Sequence, residues 1–223
     1  MNYFAHGRRF LDDPHFLIGT AVPDWLSVVN RRARARERLA LPFIDNEDLG
    51  ISALARGIVQ HHRDDHWFHQ TRAFAELNLR FTVAFRDMLD PDPGFRPSFL
   101  GHILVELLLD AALIEQSPGQ LDAYYAAIET VAPDEISATV NQMITCQTGM
   151  LVFFVPRFSA ARFLYDYGED DKLLFRLNNV MRRVRLAPLP KEILSFFPEA
   201  RNLVKDRQDE LLAGEGAMLN QRR

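Results

Sequence analysis

The sequence predicts an all-α fold, arranged as a single-domain helical bundle. Three observations support this prediction. The segments between prolines and glycines carry apolar side chains at helical spacing. None of them shows the alternation of apolar and polar residues that is typical of a strand, and the nearest candidate, residues 152–155, is short and isolated. The length of 223 residues is enough for one large domain.

Proline and capping residues mark the first helices. A short N-terminal helix contains His6, and Asp13 followed by Pro14 is typical of an N-cap and a first helical position. We expect Pro23 to interrupt this second helix, because proline disrupts a helix interior. The next helix is long and runs to past His69, with residue 90 as its outer limit and a loop at residues 90–94.

Helix-breaking residues divide the rest of the chain in the same way. A strongly apolar helix covers residues 98–115, and further helices are separated by turn-forming or helix-breaking residues at Ser117, Pro118, Gly119, Pro133, Pro156, Gly168, Pro188 and Pro190. No internal repeat or linker divides the chain. We therefore expect one domain over residues 1–213, with the metal site described below in its first half, and a flexible tail over residues 214–223.

Composition excludes several classes of function. Apolar residues make up 48% of the chain and charged residues 25%, and the net charge of −4 argues against nucleic-acid or membrane-surface binding. No segment has the pattern of a signal peptide or of a membrane span. The single cysteine, Cys146, allows no intrachain disulfide. We expect a cytoplasmic protein, and the sequence leaves its oligomeric state open.

The helix over residues 98–115 is apolar on every side except for one polar stripe. With His102 at zero on a helical wheel, Glu106 lies at about 40° and Asp110 at about 80°. A helix that is apolar all round is usually buried. Because burial of charge without a partner costs several kcal/mol, other polar groups must face this stripe.

The long helix before it offers such groups. With His61 at zero, Asp65 lies at about 40° and His69 at about 80°, whereas His62 and His66 lie at the rim, at about 100° and 140°. Two helices that each bury a stripe of imidazole and carboxylate groups are typical of metal sites in helical bundles. The alternative is a buried salt-bridge network between the same groups.

Four short segments follow one another in the first half of the chain. They are Met1-Asn2-Tyr3-Phe4-Ala5-His6, Gly19-Thr20-Ala21-Val22-Pro23-Asp24, Gly57-Ile58-Val59-Gln60-His61-His62-Arg63-Asp64-Asp65 and Gly101-His102-Ile103-Leu104-Val105-Glu106-Leu107-Leu108-Leu109-Asp110. In this order they resemble the signature segments of acyl-carrier-protein phosphodiesterases, a family of divergent HD-domain-like phosphohydrolases. The chain differs from the family pattern at five positions. His69 stands where the family has an acidic residue, Glu106 replaces an aspartate, and His102 is additional. Ala111 follows Asp110 where the family has a histidine, and Pro23 precedes Asp24.

The resemblance implies an HD-domain-like helical fold, a divalent metal, and hydrolysis of the phosphodiester that joins 4′-phosphopantetheine to a carrier-protein serine. The metal is expected to be Mn²⁺, with Fe, Zn or Mg as alternatives that the same ligand types accept. The ligands that the resemblance implies are His6, Asp24, His61, Asp65 and Asp110.

Further residues are assigned roles around this metal. A general acid or base is expected among His62, His69 and Glu106, with His66 and His102 near the site. Five arginines lie within residues 31–38 and concentrate positive charge. Of these, Arg31, Arg34 and Arg38 are candidates for binding an acidic partner or a phosphate. The alternative is that the run forms a solvated helix face.

The sequence supports three hypotheses about function. The first is a metal-dependent phosphoester hydrolase, whose partner is a phosphoester substrate on an acidic carrier protein. The second is a non-catalytic helical protein with a buried histidine–carboxylate network, which binds an acidic partner through the arginine-rich face. The third is an all-α hydrolase similar to zinc phospholipases or nucleases, which use the same ligand types.

Overall fold

A computed structural model describes residues 1–89 and 97–215, and within these ranges the chain is all-α and contains no strand. The helices are α1 (Tyr3–Gly7), α2 (Pro14–Val29), α3 (Glu37–Ala40), α4 (Leu49–Phe68), α5 (Arg72–Met88), α6 (Pro97–Gln116), α7 (Pro118–Glu129), α8 (Pro133–Val140), α9 (Leu151–Ala161), α10 (Asp170–Arg183), α11 (Phe197–Asp206) and α12 (Gln208–Leu211). Short 3-10 helices cover Leu41–Phe43, Phe163–Gly168 and Lys191–Phe196. The predicted fold class is confirmed.

Two predicted features fall wholly or partly outside the described residues. The loop predicted at residues 90–94 is one of them, and residues 216–223 of the predicted tail are the other. Within the tail, Gly214 and Glu215 are helical. A Cβ atom on Gly214 would overlap the ring of Trp67, so this end of the chain packs against that indole.

The chain groups into two compact units, each assembled from separate segments. The first unit comprises Met1 with residues 3–66 and 117–162, and the second comprises Asn2, residues 67–116 and the chain from Phe163 onward. Helix α4 therefore begins in the first unit and ends in the second. The single domain expected over residues 1–213 stays a prediction.

Helix α2 organises the first unit. Helices α1, α7 and α9 pack against it, and α4 crosses it at a pair of glycines. A Cβ atom on Gly57 would lie 2.8 Å from the Cα atom of Gly19 and would overlap the carbonyl oxygen of Phe16. The two backbones approach more closely than side chains would allow. This close crossing places His61, one turn after Gly57, beside α2.

Helix α6 forms the core of the second unit. It packs against α5, α11 and the 3-10 helix Phe163–Gly168, and eleven of its residues are buried, including Asp110. By length and composition it is the one helix in the described part of the chain that could cross a membrane. However, 61% of its apolar window is buried inside the protein, as in the core helix of a soluble protein.

Two prolines lie inside helices that they were expected to interrupt. Pro23 is within α2 and Pro156 is within α9. A proline inside a helix removes one backbone hydrogen bond and costs about 3 kcal/mol. Around Pro23, the burial of Val22, Trp25 and Leu26 favours a continuous helix. The predicted interruptions are wrong because tertiary packing outweighs this local cost.

Helix α4 also ends earlier than the pattern predicts. It stops at Phe68, and the next helix begins with Thr71 as its N-cap, whose hydroxyl accepts a hydrogen bond from the amide of Phe74. The amide of Gln70 donates to the Trp67 carbonyl and that of Thr71 to the Phe68 carbonyl, which closes the turn. The prediction that the helix continues past His69 is wrong, because the cap starts a new helix. His69 lies in the turn.

The glycine crossing can be tested by adding a single methyl group. Gly57→Ala should lower the free energy of unfolding by about 1–3 kcal/mol, because the new methyl group forces α2 and α4 apart. The matched control is Gly119→Ala, where no atom lies within 4 Å of the added Cβ. That change should be neutral or stabilise by less than about 1 kcal/mol. Urea unfolding measures both, and equal effects would contradict the crossing.

Candidate metal centre

The predicted stripe of α4 contributes to two separate groups of ligand-type atoms. His6, His61 and Asp65 form one group, which we call the His6 cluster, and it lies in the first unit. His69, His102 and Glu106 form the other, which we call the Glu106 cluster, and it lies in the second unit. In each cluster, one nitrogen or oxygen from every residue lies within 4.8 Å of those of the other two. The stripe divides where α4 ends.

In the His6 cluster, two imidazoles approach one carboxylate. Nε2 of His6 lies 3.3 Å from Oδ1 of Asp65, and Nε2 of His61 lies 3.4 Å from Oδ2 of the same side chain. The two rings stack with centroids 4.2 Å apart. His6 and His61 are buried, and Asp65 retains 32% of its side-chain exposure. The carboxylate is thus the side from which solvent reaches the cluster.

Hydrogen bonds fix which nitrogen of each ring faces Asp65. Nδ1 of His61 lies 2.8 Å from the carbonyl oxygen of Thr20, which can only accept, so Nδ1 carries the proton. Nδ1 of His6 donates to Oδ2 of Asp64 at 3.4 Å by the same reasoning. In a neutral imidazole with a protonated Nδ1, Nε2 offers a lone pair. Both rings can therefore present a lone pair toward Asp65.

Asp64 is a site residue that the sequence analysis did not identify. It is fully buried and accepts hydrogen bonds from His6 and from the side-chain amide of Gln60, the latter at 2.7 Å. A carboxylate that holds the second nitrogen of a metal-binding histidine orients the ring and raises its basicity. Its position three residues after His61, within one helical turn, is a signal that could have identified it.

Charges around the cluster shift its pKa values in opposite directions. Burial lowers the pKa of His6, but the carboxylates of Asp64 and Asp65 outweigh burial and raise that pKa to about 9. Burial and the adjacent His6 hold the pKa of His61 well below its usual range, so His61 is neutral at pH 7.

Asp65 stays ionised at neutral pH. Burial alone would raise the pKa of its carboxyl, but His6, the amino group of Met1 and His61 together hold that pKa well below its usual range. The amino group of Met1 donates a hydrogen bond to Oδ1 of Asp65 at 2.7 Å. In the absence of metal, a protonated His6 and this amino group therefore balance the carboxylate.

The residues of the His6 cluster fit a divalent metal ion. Two nitrogens and one oxygen from three side chains converge, and these are ligand types that Mn, Fe and Zn accept. Nε2 of His6 is buried, and no surrounding atom has the geometry of a hydrogen bond with it. A divalent ion bound here would take the place of the His6 proton between Nε2 and the Asp65 carboxylate.

The Glu106 cluster brings together three residues that were assigned to catalysis or to the edge of the site. Nε2 of His69 lies 3.0 Å from Oε1 of Glu106, and Nε2 of His102 lies 3.1 Å from the same oxygen. Helix α6 supplies His102 and Glu106 one turn apart, and the turn after α4 supplies His69. Glu106 therefore faces a histidine from another element, but His102 and Glu106 are only partly buried.

The other predicted ligands and histidines lie elsewhere. Asp24 is inside α2 and half-buried, and Asp110 is fully buried and accepts a hydrogen bond from the side-chain amide of Asn2 at 2.8 Å. Neither belongs to the groups of converging ligand atoms found among the described residues. His62 donates from Nε2 to the Ala35 carbonyl at 2.7 Å, and His66 is exposed. Their assigned roles stay predictions.

The arginine run is not a helix face. Residues 33–36 form no helix, and α3 begins only at Glu37. The small side chains of Ala33 and Ala35 are buried, whereas the arginines are exposed, namely Arg31, Arg32, Arg34, Arg36 and Arg38. Thr145 anchors this segment, because its amide donates to the Arg34 carbonyl and its hydroxyl donates to the Arg32 carbonyl. The alternative of a solvated helix face is therefore wrong for residues 31–36.

Comparison with known proteins finds no matching family model, no matching curated protein and no matching solved structure. The resemblance to acyl-carrier-protein phosphodiesterases therefore depends on the four segments quoted above, and it stays a prediction.

The raised pKa of His6 predicts how the stability of the metal-free protein depends on pH. The pKa is about 9 in the folded protein and about 6.5 when unfolded, so the stabilisation is complete below pH 6.5 and is lost as pH rises through 9. His6→Gln should lower the free energy of unfolding by roughly 3 kcal/mol near pH 6. The deficit should shrink above pH 9, as measured by urea unfolding with a chelator.

The control for this series is His15→Gln. His15 is partly exposed, pairs with Glu135 at 2.7 Å and is not part of the His6 cluster. It should show no comparable loss that follows the same pH range. A His6→Gln deficit of constant size from pH 6 to pH 10 would contradict the charge assignment.

Proposed function

We propose that the chain is a metal-dependent phosphoester hydrolase whose metal binds at the His6 cluster. One observation carries the proposal: Nε2 of His6, Nε2 of His61 and the carboxylate of Asp65 converge within 4.8 Å. The Nδ1 atoms of both rings are held by other acceptors. Such pre-orientation by outer partners is typical of histidines that ligate metals.

The chain's own residues would prepare the site in three ways. Thr20 and Asp64 hold the two imidazoles so that their Nε2 atoms face Asp65. Burial keeps His61 neutral, so no proton must leave it before it binds a cation. Asp65 contributes a negative charge at the partly exposed side, where a phosphoester would approach. When bound, a divalent ion polarises a phosphoryl oxygen and activates a water molecule.

We propose Mn²⁺ as the metal, with Fe, Zn or Mg as alternatives, and a cytoplasmic location. Within the proposed class, the resemblance to acyl-carrier-protein phosphodiesterases favours release of 4′-phosphopantetheine from a carrier protein. Only three converging ligands leave coordination positions open for water and substrate, as hydrolysis requires. A zinc phospholipase- or nuclease-like hydrolase uses the same ligand types and stays open as a variant of this proposal.

Loss of Asp65 tests the metal and the reaction together. Purified wild type should bind a divalent metal and hydrolyse bis-p-nitrophenyl phosphate faster when Mn²⁺ is added. Asp65→Asn removes an anionic ligand, so the metal bound at the His6 cluster should be lost and turnover should fall by roughly 100-fold or more. His15→Gln, which replaces a histidine that pairs with Glu135, should match wild type. Metal analysis, the diester assay and circular dichroism measure these outcomes.

The second candidate function is a non-catalytic protein with a buried charge network. It is favoured by the amino group of Met1, which donates to Asp65 and balances its charge without a metal. In that case Asp65→Asn leaves His6 poorly paired and costs about 3–5 kcal/mol of stability. Asp65→Asn would then change no metal content, and wild type would hydrolyse no diester with any divalent ion. That combination of results would decide for the network and against the hydrolase.

The exposed arginine run predicts how an acidic carrier protein would bind. Replacing Arg31, Arg34 and Arg38 with Glu should weaken binding, and the loss should be largest at low salt because exposed charges are screened. Hydrolysis of the small diester should be unchanged. The matched control replaces Arg182, Arg183 and Arg185, which are also exposed, with Glu. Titrations at two salt concentrations measure this, and equal effects of both triple variants would contradict a specific docking face.

A further inference from the structure

The Glu106 cluster is a second convergence of metal-ligand atoms, separate from the metal centre proposed for the hydrolase. Its three residues come from two elements of the second unit, α6 and the turn between α4 and α5. Both imidazoles direct Nε2 at one oxygen, Oε1 of Glu106, at 3.0 and 3.1 Å. Two histidines and one glutamate are a ligand set that catalytic zinc sites use, with a fourth position left for water.

The distances suit a zinc ion with little movement of the side chains. Zinc binds imidazole nitrogen and carboxylate oxygen at about 2.0–2.2 Å, so two ligand atoms of a tetrahedral site lie about 3.3 Å apart. The two Nε2–Oε1 separations are only a few tenths of an ångström shorter. All three ligand atoms lie within 4.8 Å of one another. Small rotations of the side chains would open the space for an ion.

Aromatic packing holds the two rings in place. The rings of His69 and His102 lie 4.7 Å apart. Phe74 contacts both of them edge-on, with centroid separations of 4.8 and 4.9 Å, and Phe68 contacts His69 at 5.3 Å. Because the surrounding rings restrict their rotation, the histidines lose little further entropy on binding an ion.

One side of the cluster is open to solvent. The side chains of His69 and His102 are 32% and 35% exposed, whereas that of Glu106 is 13% exposed. A shallow depression of about 560 Å³ borders His102 and is also lined by Asn78, Ser98, Phe99 and Ile103. An ion bound here would have protein ligands beneath it and space above it for water or a small ligand.

We propose that His69, His102 and Glu106 form a second divalent-metal site that binds zinc, with its open coordination position facing this depression. This proposal does not depend on the hydrolase proposed for the His6 cluster. The alternative is a hydrogen-bonded trio, in which both Nε2–H groups donate to Glu106 Oε1. The two arrangements differ in a measurable way, because zinc requires both Nε2 atoms to lose their protons and moves the remaining proton of each ring to Nδ1.

Zinc stoichiometry in a background without the first cluster tests the proposal. In Asp65→Asn, equilibrium dialysis with Zn²⁺ should find one equivalent, and adding His102→Gln should weaken its binding by roughly 100-fold or more. Adding His15→Gln instead should leave that equivalent unchanged. The proposal is overturned if Asp65→Asn binds no zinc, or if Asp65→Asn with His102→Gln binds it as tightly as Asp65→Asn alone.

Imidazole ¹⁵N spectra supply a readout that does not depend on the Asp65 variant. On addition of Zn²⁺ to wild type, the signals of His69 and His102, assigned by His69→Gln and His102→Gln, should change from the Nε2–H to the Nδ1–H form. Should Asp65→Asn fail to fold, the same dialysis on wild type and His102→Gln should show a loss of one equivalent. Unchanged tautomers at saturating Zn²⁺ would support the hydrogen-bonded trio and overturn the proposal.

Discussion

The structure depends on one constraint: ionisable groups carried into the protein by largely apolar helices must find partners of opposite charge or complementary hydrogen bonding. Asp64, Asp110 and His6 are fully buried. Buried charge without a partner costs several kcal/mol, a large part of the stability of a domain. The close crossing of α2 and α4 meets this requirement in the first unit, because it brings His61 to the Thr20 carbonyl. In the second unit, Glu106 accepts from two histidines.

The same constraint explains why metal binding and proton binding compete at the His6 cluster. Asp65 is surrounded by His6, His61 and the amino group of Met1, and its pKa is held far below its usual range. A divalent ion would replace the proton of His6 rather than enter a neutral cavity, so its affinity should increase with pH. The Glu106 cluster likewise combines two imidazoles with one carboxylate, and imidazole ligands favour zinc over Mg²⁺.

The fold class and the partnership of His61 with Asp65 could be predicted from the sequence, because both depend on helical spacing. His6 lies beside this pair, as the resemblance implies. Helical periodicity alone could not predict this contact, because His6 is on another helix. The position of His69 could not be found from the wheel, because α4 ends at Phe68 and the N-cap Thr71 starts a new helix. Pro23 predicts a break in α2, but the helix continues because the tertiary burial of Trp25 and Leu26 outweighs the local cost of the proline. Asp64 was not predicted because it accepts a hydrogen bond from Nδ1 of His6, the ring nitrogen that faces away from Asp65.

The most direct test of the account is to locate Mn²⁺ by anomalous diffraction from crystals of the metal-loaded protein. The account predicts a peak within bonding distance of His6 Nε2, His61 Nε2 and a carboxylate oxygen of Asp65, with His6 Nδ1 still bonded to Asp64. It also predicts that the Met1 amino group no longer donates to the metal-bound oxygen. The absence of a peak at saturating Mn²⁺, with the Met1–Asp65 hydrogen bond intact, would contradict the central claim and identify the cluster as a structural charge network.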